Sequence, residues 1–96
     1  MKLEWDAGKD RANQQKHGIG FREASQLFTS DINYLEIFDD QHSEGEDRFI
    51  AIGPIERGLV LAVWTERDDD SIRIISARWA TSHEQNLYFD YLREER

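Results

Sequence analysis

Four arginines, Arg48, Arg67, Arg73 and Arg78, stand in or at the ends of three closely spaced segments with a strand-like period. A guanidinium is planar, carries a fork of N–H donors and does not titrate, so it suits bidentate binding of phosphate. Glu46 precedes Arg48 by two positions. In an extended strand the two share a face. That pair fits a surface ion bridge or a general base beside a phosphate clamp. Lys16-His17 closes the first helical segment, where the helix dipole favours a cation and helps a histidine hold its proton. It reads either as a plain C-terminal cap or as a phosphate-binding or acid/base pair. Parity separates two of the arginines. In a regular strand Arg73 shares a face with Ile75 and Ala77, whereas Arg78 shares one with Ile72, Ile74 and Ser76. At most one of them then faces a given groove. Solvated edge residues are the ordinary alternative for all four.

Other chemistries find less support. His17, His42 and His83 fall on separate elements without HxxxH or HxH spacing, which disfavours zinc. Asp39-Asp40 and Asp68-Asp69-Asp70 lack the alternating ligands of a calcium loop. There is no glycine-rich phosphate loop, no GxSxG elbow and no cysteine. No metal and no cofactor is expected. Trp5, Trp64 and Trp79 read as core or interface residues, with Trp79, beside Arg78, the one plausible base-stacking platform.

The elements that must hold these residues can be read in order. Lys2-Leu3-Glu4-Trp5 alternates as a short strand does. Asp6 caps a helix over Ala7 to His17, and Gly18 stops it in the left-handed conformation. This helix is polar and should be largely exposed. Gly20 and Glu23 read as cap and capping-box partner of a second helix, with Phe21, Ala24, Leu27 and Phe28 as its apolar stripe. Strands are expected over Tyr34 to Phe38, Arg48 to Gly53, Leu59 to Glu66 and Ser71 to Arg78, with turns at Pro54 to Gly58 and Arg67 to Asp70. Closely spaced strands favour an antiparallel meander. Thr81-Ser82-His83-Glu84 is a capping box opening a last helix, with Leu87, Tyr88, Tyr91 and Leu92 on one stripe. Its end, Arg93 to Arg96, is expected to fray. The order β-α-α-β-β-β-β-α makes an α+β protein: an antiparallel sheet of four to five strands, two N-terminal helices and one C-terminal helix.

Size and charge set the frame. Ninety-six residues, 39% of them apolar, suffice for one modest core and one domain, 1–96. The longest apolar run, Leu59 to Trp64, is six residues, too short to span a bilayer, and no export signal follows Met1, so a cytoplasmic protein without membrane contact is expected. The net charge is −8, but residues 21–47 alone hold eight acids and one arginine. The acidity is therefore segregated, and a local basic patch is possible elsewhere.

Trp5-Asp6, Lys9, Asn13, Lys16-His17-Gly18-Ile19, Phe21 and Glu23-Ala24 form a first block. Glu46, Arg48-Phe49 and Ile52-Gly53 form a second. Arg73-Ile74-Ile75-Ser76-Ala77-Arg78, then Ala80, Thr81 and Glu84, form a third. Together, and nearly along the whole chain, they resemble the BrnT family of bacterial toxins. The resemblance implies a RelE-like fold and a metal-independent endoribonuclease that inhibits growth. It implies a BrnA-like antitoxin in a two-plus-two heterotetramer, with DNA contacted only through that antitoxin. In such a reaction the ribose 2′-hydroxyl attacks the adjacent phosphate, which needs a base, a charge stabiliser and an acid. Carried onto this chain, the resemblance makes Arg78 and Arg67 the phosphate stabilisers and Glu46 or His17 the base or acid. Lys16 and Arg48 then hold the RNA backbone. The chain departs from the family where the segment after Arg78, often basic there, runs from Trp79 to Asn86 without Lys or Arg. That departure and the acidic segment support an alternative: a weak or inactive nuclease that mainly binds its antitoxin and acts as co-repressor.

Overall fold

The computed structural model describes residues 1–94. A five-stranded sheet is built from β1 (Lys2–Glu4), β2 (Leu35–Phe38), β3 (Arg48–Ile55), β4 (Gly58–Asp68) and β5 (Ser71–Trp79), in the order β1-β5-β4-β3-β2. Among the described residues four α-helices accompany it, α1 (Ala7–His17), α2 (Phe21–Ala24), α3 (Gln26–Thr29) and α4 (Ser82–Glu94), with one short 3-10 turn over Asp40–His42. The strands from β2 to β5 form the expected antiparallel meander. The sheet is mixed, because β1 joins the far edge parallel to β5. The fraying expected of Glu95 and Arg96 lies outside the described residues.

Local signals set the helix ends as expected. Asp6 accepts from the Lys9 N–H at 2.9 Å, and Gly18 closes α1 at φ 71°. At α4, Thr81 Oγ1 accepts from Glu84 N–H at 3.2 Å while Glu84 Oε1 accepts from Thr81 N–H at 2.8 Å. The second helix differs from its reading. It breaks at Ser25 into α2 and α3. Glu23 makes no box with Gly20: it pairs instead with Arg57, and the Phe21 N–H is capped from α1 by Asp10 Oδ1 at 2.8 Å. A charged partner across the fold outcompetes a local backbone donor.

Pro54 corrects another boundary. The sequence places it at the start of a turn, but β3 continues through it to Ile55, and Glu56-Arg57 alone make the turn. The β2–β3 pairing explains this. Asp39 N–H bonds Arg48 C=O, so Ile37 and Leu35, two and four residues back, also exchange bonds with β3. The next such position on β3 is Pro54, which has no N–H, and the ladder stops there. The C=O of Asn33, which would have faced it, accepts from Tyr88 Oη at 2.9 Å instead.

Two cores sandwich the sheet. On its first face Ile19, Phe21, Ala24 and Leu27 pack on Ala51, Val60, Ala62, Trp64, Ile74 and Ala77. Burying each large side chain there contributes about 1.5–3 kcal/mol. The approach of α3 needs Gly53: a Cβ there would lie 2.8 Å from Tyr34 Cβ and 2.9 Å from Leu27 Cδ2. On the second face α4 lays Tyr88, Tyr91 and Leu92 over Ile52, Leu61, Leu35 and Leu59, whereas Leu87 of the expected stripe is 36% exposed. α1 is polar, as read, with Asn13 its one buried residue. Beyond Glu4, β1 no longer accompanies β5, and Asn13 replaces it. Its amide donates to Ala77 C=O at 2.8 Å and accepts from Ala77 N–H at 3.1 Å, as a neighbouring strand would.

Candidate functional site

Strand pairing decides where the arginines point. Between β4 and β5, Val63 pairs with Ser76 but Trp64 pairs with Ile74, so Ile75 is an extra residue. A bulge reverses the alternation on its two sides. Ile72, Ile74 and Ala77 all enter the first core, while Arg73, Ser76 and Arg78 all lie on the second face. The parity reading that separated Arg73 from Arg78 is thereby overturned: it assumed a regular strand. A second irregularity, between Glu66 and Asp68, leaves Arg67 unpaired on β4.

The second face has two halves. α4 covers one. The other carries a cross-strand row in which Arg48 pairs with Thr65, Thr65 with Arg73, and Arg73 with Glu4. Arg48 and Arg73 are two strand spacings apart, about 10 Å. Around this row Glu46 Oε1 stands 3.7 Å from Arg48 Nη2, and Glu4 Oε1 is shared by Arg67 Nε at 3.1 Å and Arg73 Nε at 3.5 Å. Thr65 is fully buried and holds the preceding loop by donating to Asp47 C=O at 2.6 Å. The Nε atoms of Arg48 and Arg73 are themselves buried and lack a hydrogen-bond partner among the described residues. The Arg73–Glu4 contact is close enough for attraction but not aligned as a hydrogen bond. The side chains of Arg48, Arg67 and Arg73 are 36%, 45% and 39% exposed, so it is their outer guanidinium ends, and not the buried Nε atoms, that an incoming anion meets.

Arg78 is arranged differently. Both its terminal nitrogens bond Glu84, at 2.7 Å each, and Nη1 also reaches Trp79 C=O at 3.3 Å. The guanidinium beside it, with the Thr81 N–H and hydroxyl, holds the Glu84 carboxyl down at about 2 against partial burial. Arg78 pairs with Leu61 and Arg73 with Thr65, so the two are four residues apart along β4, about 13 Å.

Lys16 and His17 are further away. They precede Gly18, whose C=O accepts from Arg57 Nη2 at 3.1 Å at the tip of the β3–β4 hairpin. Arg48 is at the other end of β3, about 23 Å along the strand from Ile55. Catalysis at one phosphate needs its groups within a few ångströms. Of the residues singled out from the sequence, Glu46, Arg48, Arg67 and Arg73 come together. Lys16, His17 and Arg78 do not join them. Glu4 and Thr65 were not singled out. Period-two patterning separates Glu4 from the core residue Leu3, but nothing local reveals that β1 lies beside Arg73.

A mixed sheet with helices on both faces and an arginine-bearing row on the uncovered half define an α+β protein with a partly open sheet face. The model of the family described as "Ribonuclease toxin, BrnT, of type II toxin-antitoxin system" matches residues 5–84, and the chain belongs to this family. The fold is similar to that of the Brucella abortus ribonuclease toxin BrnT, with a TM-score of 0.66 and 24% identity over 85% of this chain and 99% of that one. No curated protein matches the chain. Among the described residues, no helix is long and apolar enough to cross a membrane.

Proposed function

We propose that this toxin cleaves RNA without a metal, at the open half of the second sheet face. The observation that supports the proposal is the row Arg48–Thr65–Arg73–Glu4, with Arg67 beside it and the outer ends of the three guanidiniums open to solvent. Arg48 and Arg73 bind the scissile phosphate, and Arg67 adds charge as the phosphorane forms. Glu46 or Glu4 accepts the 2′-hydroxyl proton as the O2′–P bond forms. The P–O5′ bond then breaks, and the departing oxygen takes a proton from the carboxylic acid so formed or from water. In this reading Arg78 is a structural clamp for α4, and Lys16 and His17 lie outside the reacting centre.

Seven acids of the chain's net −8 fall in residues 31–47, and of these only Glu46 and Asp47 adjoin the row. We further infer a single toxin domain over 1–96, a cytoplasmic location, and neutralisation by an antitoxin in a two-plus-two complex. The test is cleavage of a labelled RNA by purified protein in EDTA, beside Arg48→Ala and Arg73→Ala. Cleavage that survives chelation, leaves 5′-hydroxyl ends and is lost in both variants supports the site. Undiminished cleavage in the two folded variants overturns it, and loss of wild-type cleavage in EDTA, restored by added divalent cation, overturns the metal-free mechanism.

A further inference from the structure

We propose that the free edge of β2 receives an extended, lysine- or arginine-bearing segment of the antitoxin as a sixth strand. This rests on the reading that an antitoxin holds the toxin. It concerns the outer edge of β2, one strand beyond Arg48 of the arginine row.

β2 is the outermost strand beyond β3. The Asp39–Arg48 bond fixes the phase of the ladder: Leu35 and Ile37 turn their backbone groups inward to β3. Glu36 and Phe38 therefore turn theirs outward, where no strand among the described residues meets them. Such an edge is a template for strand addition, in which main-chain bonds supply affinity and side chains supply choice.

Side chains on this edge describe the occupant. Ile37 is 36% and Phe38 48% exposed, the latter set edge-on against Phe49 at 5.6 Å. Just before β2, Ile32 is 55% exposed and lines an apolar depression with Pro54 and Ile55. An incoming strand thus meets apolar surface at both ends and Glu36 between them. Asp31, Asp39, Asp40 and Glu44 are close to it along the chain, and residues 31–47 contain no Lys or Arg. A second copy of this chain would bring two such acidic segments edge to edge, which charge opposes. A basic segment with alternating apolar residues gains on both counts, and the field speeds its arrival.

The test uses the full chain with and without its antitoxin, followed by amide hydrogen exchange. The Glu36 and Phe38 amides should exchange rapidly alone and become protected in the complex. Glu36→Pro removes an outward N–H while leaving the β2–β3 bonds intact. It should weaken antitoxin binding about tenfold, as expected for loss of an edge hydrogen bond and its neighbour, without changing RNA cleavage. Glu36→Lys should weaken binding too and flatten its salt dependence. If Glu36→Pro fails to fold, the exchange result on the unmodified chain decides. A complex that forms while both amides exchange unchanged overturns the edge assignment alone. Protection of these amides in the toxin by itself, with a dimer of the chain in solution, overturns it in favour of self-pairing. Failure of the unmodified chain to bind any antitoxin overturns the reading beneath it.

Discussion

Arg73 and Arg78 share one strand and, through the Ile75 bulge, one face. They are of similar exposure, 39% and 38%. What separates them is the partner. Arg78 is bound at two points by Glu84, which is only 17% exposed and itself capped into α4. Arg73 shares with Arg67 a single carboxylate, Glu4, that is 45% exposed, and its 3.5 Å contact is not aligned as a hydrogen bond. A fully satisfied ion pair at a helix start locks structure, and a loosely satisfied one is available to a ligand. Counting arginines would have treated the two as equals.

The comparison breaks most readily at Arg73. Replacing it with alanine should slow RNA cleavage about 100-fold or more if it holds charge developing in the transition state. Its thermal midpoint should barely move, because an exposed ion pair contributes about 1 kcal/mol or less. Single-turnover cleavage beside a thermal melt measures both. Arg78→Ala should behave in the opposite way: stability falls by about 2 kcal/mol, since Glu84 is left half-paired against its desolvation. Cleavage at a temperature where this variant remains folded should stay within a few-fold of the parent. A stable but inactive Arg78→Ala protein would erase the distinction between the two halves of the face.

Acid sharpens the same contrast. The folded Glu84 carboxyl is lowered to about 2, chiefly by Arg78. A lowered folded value means that the clamp stabilises fully above the ordinary carboxylate range and is lost as pH falls toward 2. With Arg78 part-exposed, the contribution is about 1–2 kcal/mol after screening. Denaturant melts between pH 5 and pH 2.5 should show it as a loss that Glu84→Gln removes. The smallest effect is expected at Glu4. Glu4→Gln frees Arg67 and Arg73 from a shared counter-charge worth a few tenths of a kcal/mol. RNA should bind about twofold more tightly, with a steeper salt dependence, measured by fluorescence anisotropy. Weaker binding or lost cleavage would instead mark Glu4 as the base.

Features governed by neighbours within about four residues could be read from the chain alone. Asp6 and Gly18 bound α1, Thr81 and Glu84 open α4, and the period-two runs became β2 to β5. Each depends on hydrogen bonds or alternation closed within one turn or one strand, so residue type suffices. The resemblance to a toxin family was also carried by residues in order along the chain. Where longer range mattered, the reading failed. Glu23 left its local box for Arg57, and Pro54 continued a strand because the adjacent ladder had already ended.

The site itself belonged to the tertiary structure. Three arginines and a glutamate could be nominated by type, because guanidinium and carboxylate chemistry are properties of the side chain. Their grouping could not. One extra residue at Ile75 puts Arg73 and Arg78 on the same face, another at Arg67 leaves that residue unpaired, and a parallel first strand brings Glu4 beside them. These depend on which residue of one strand lies opposite which residue of another. Such register is settled by the packing of two faces at once, and a shift of a single residue reverses every side chain beyond it.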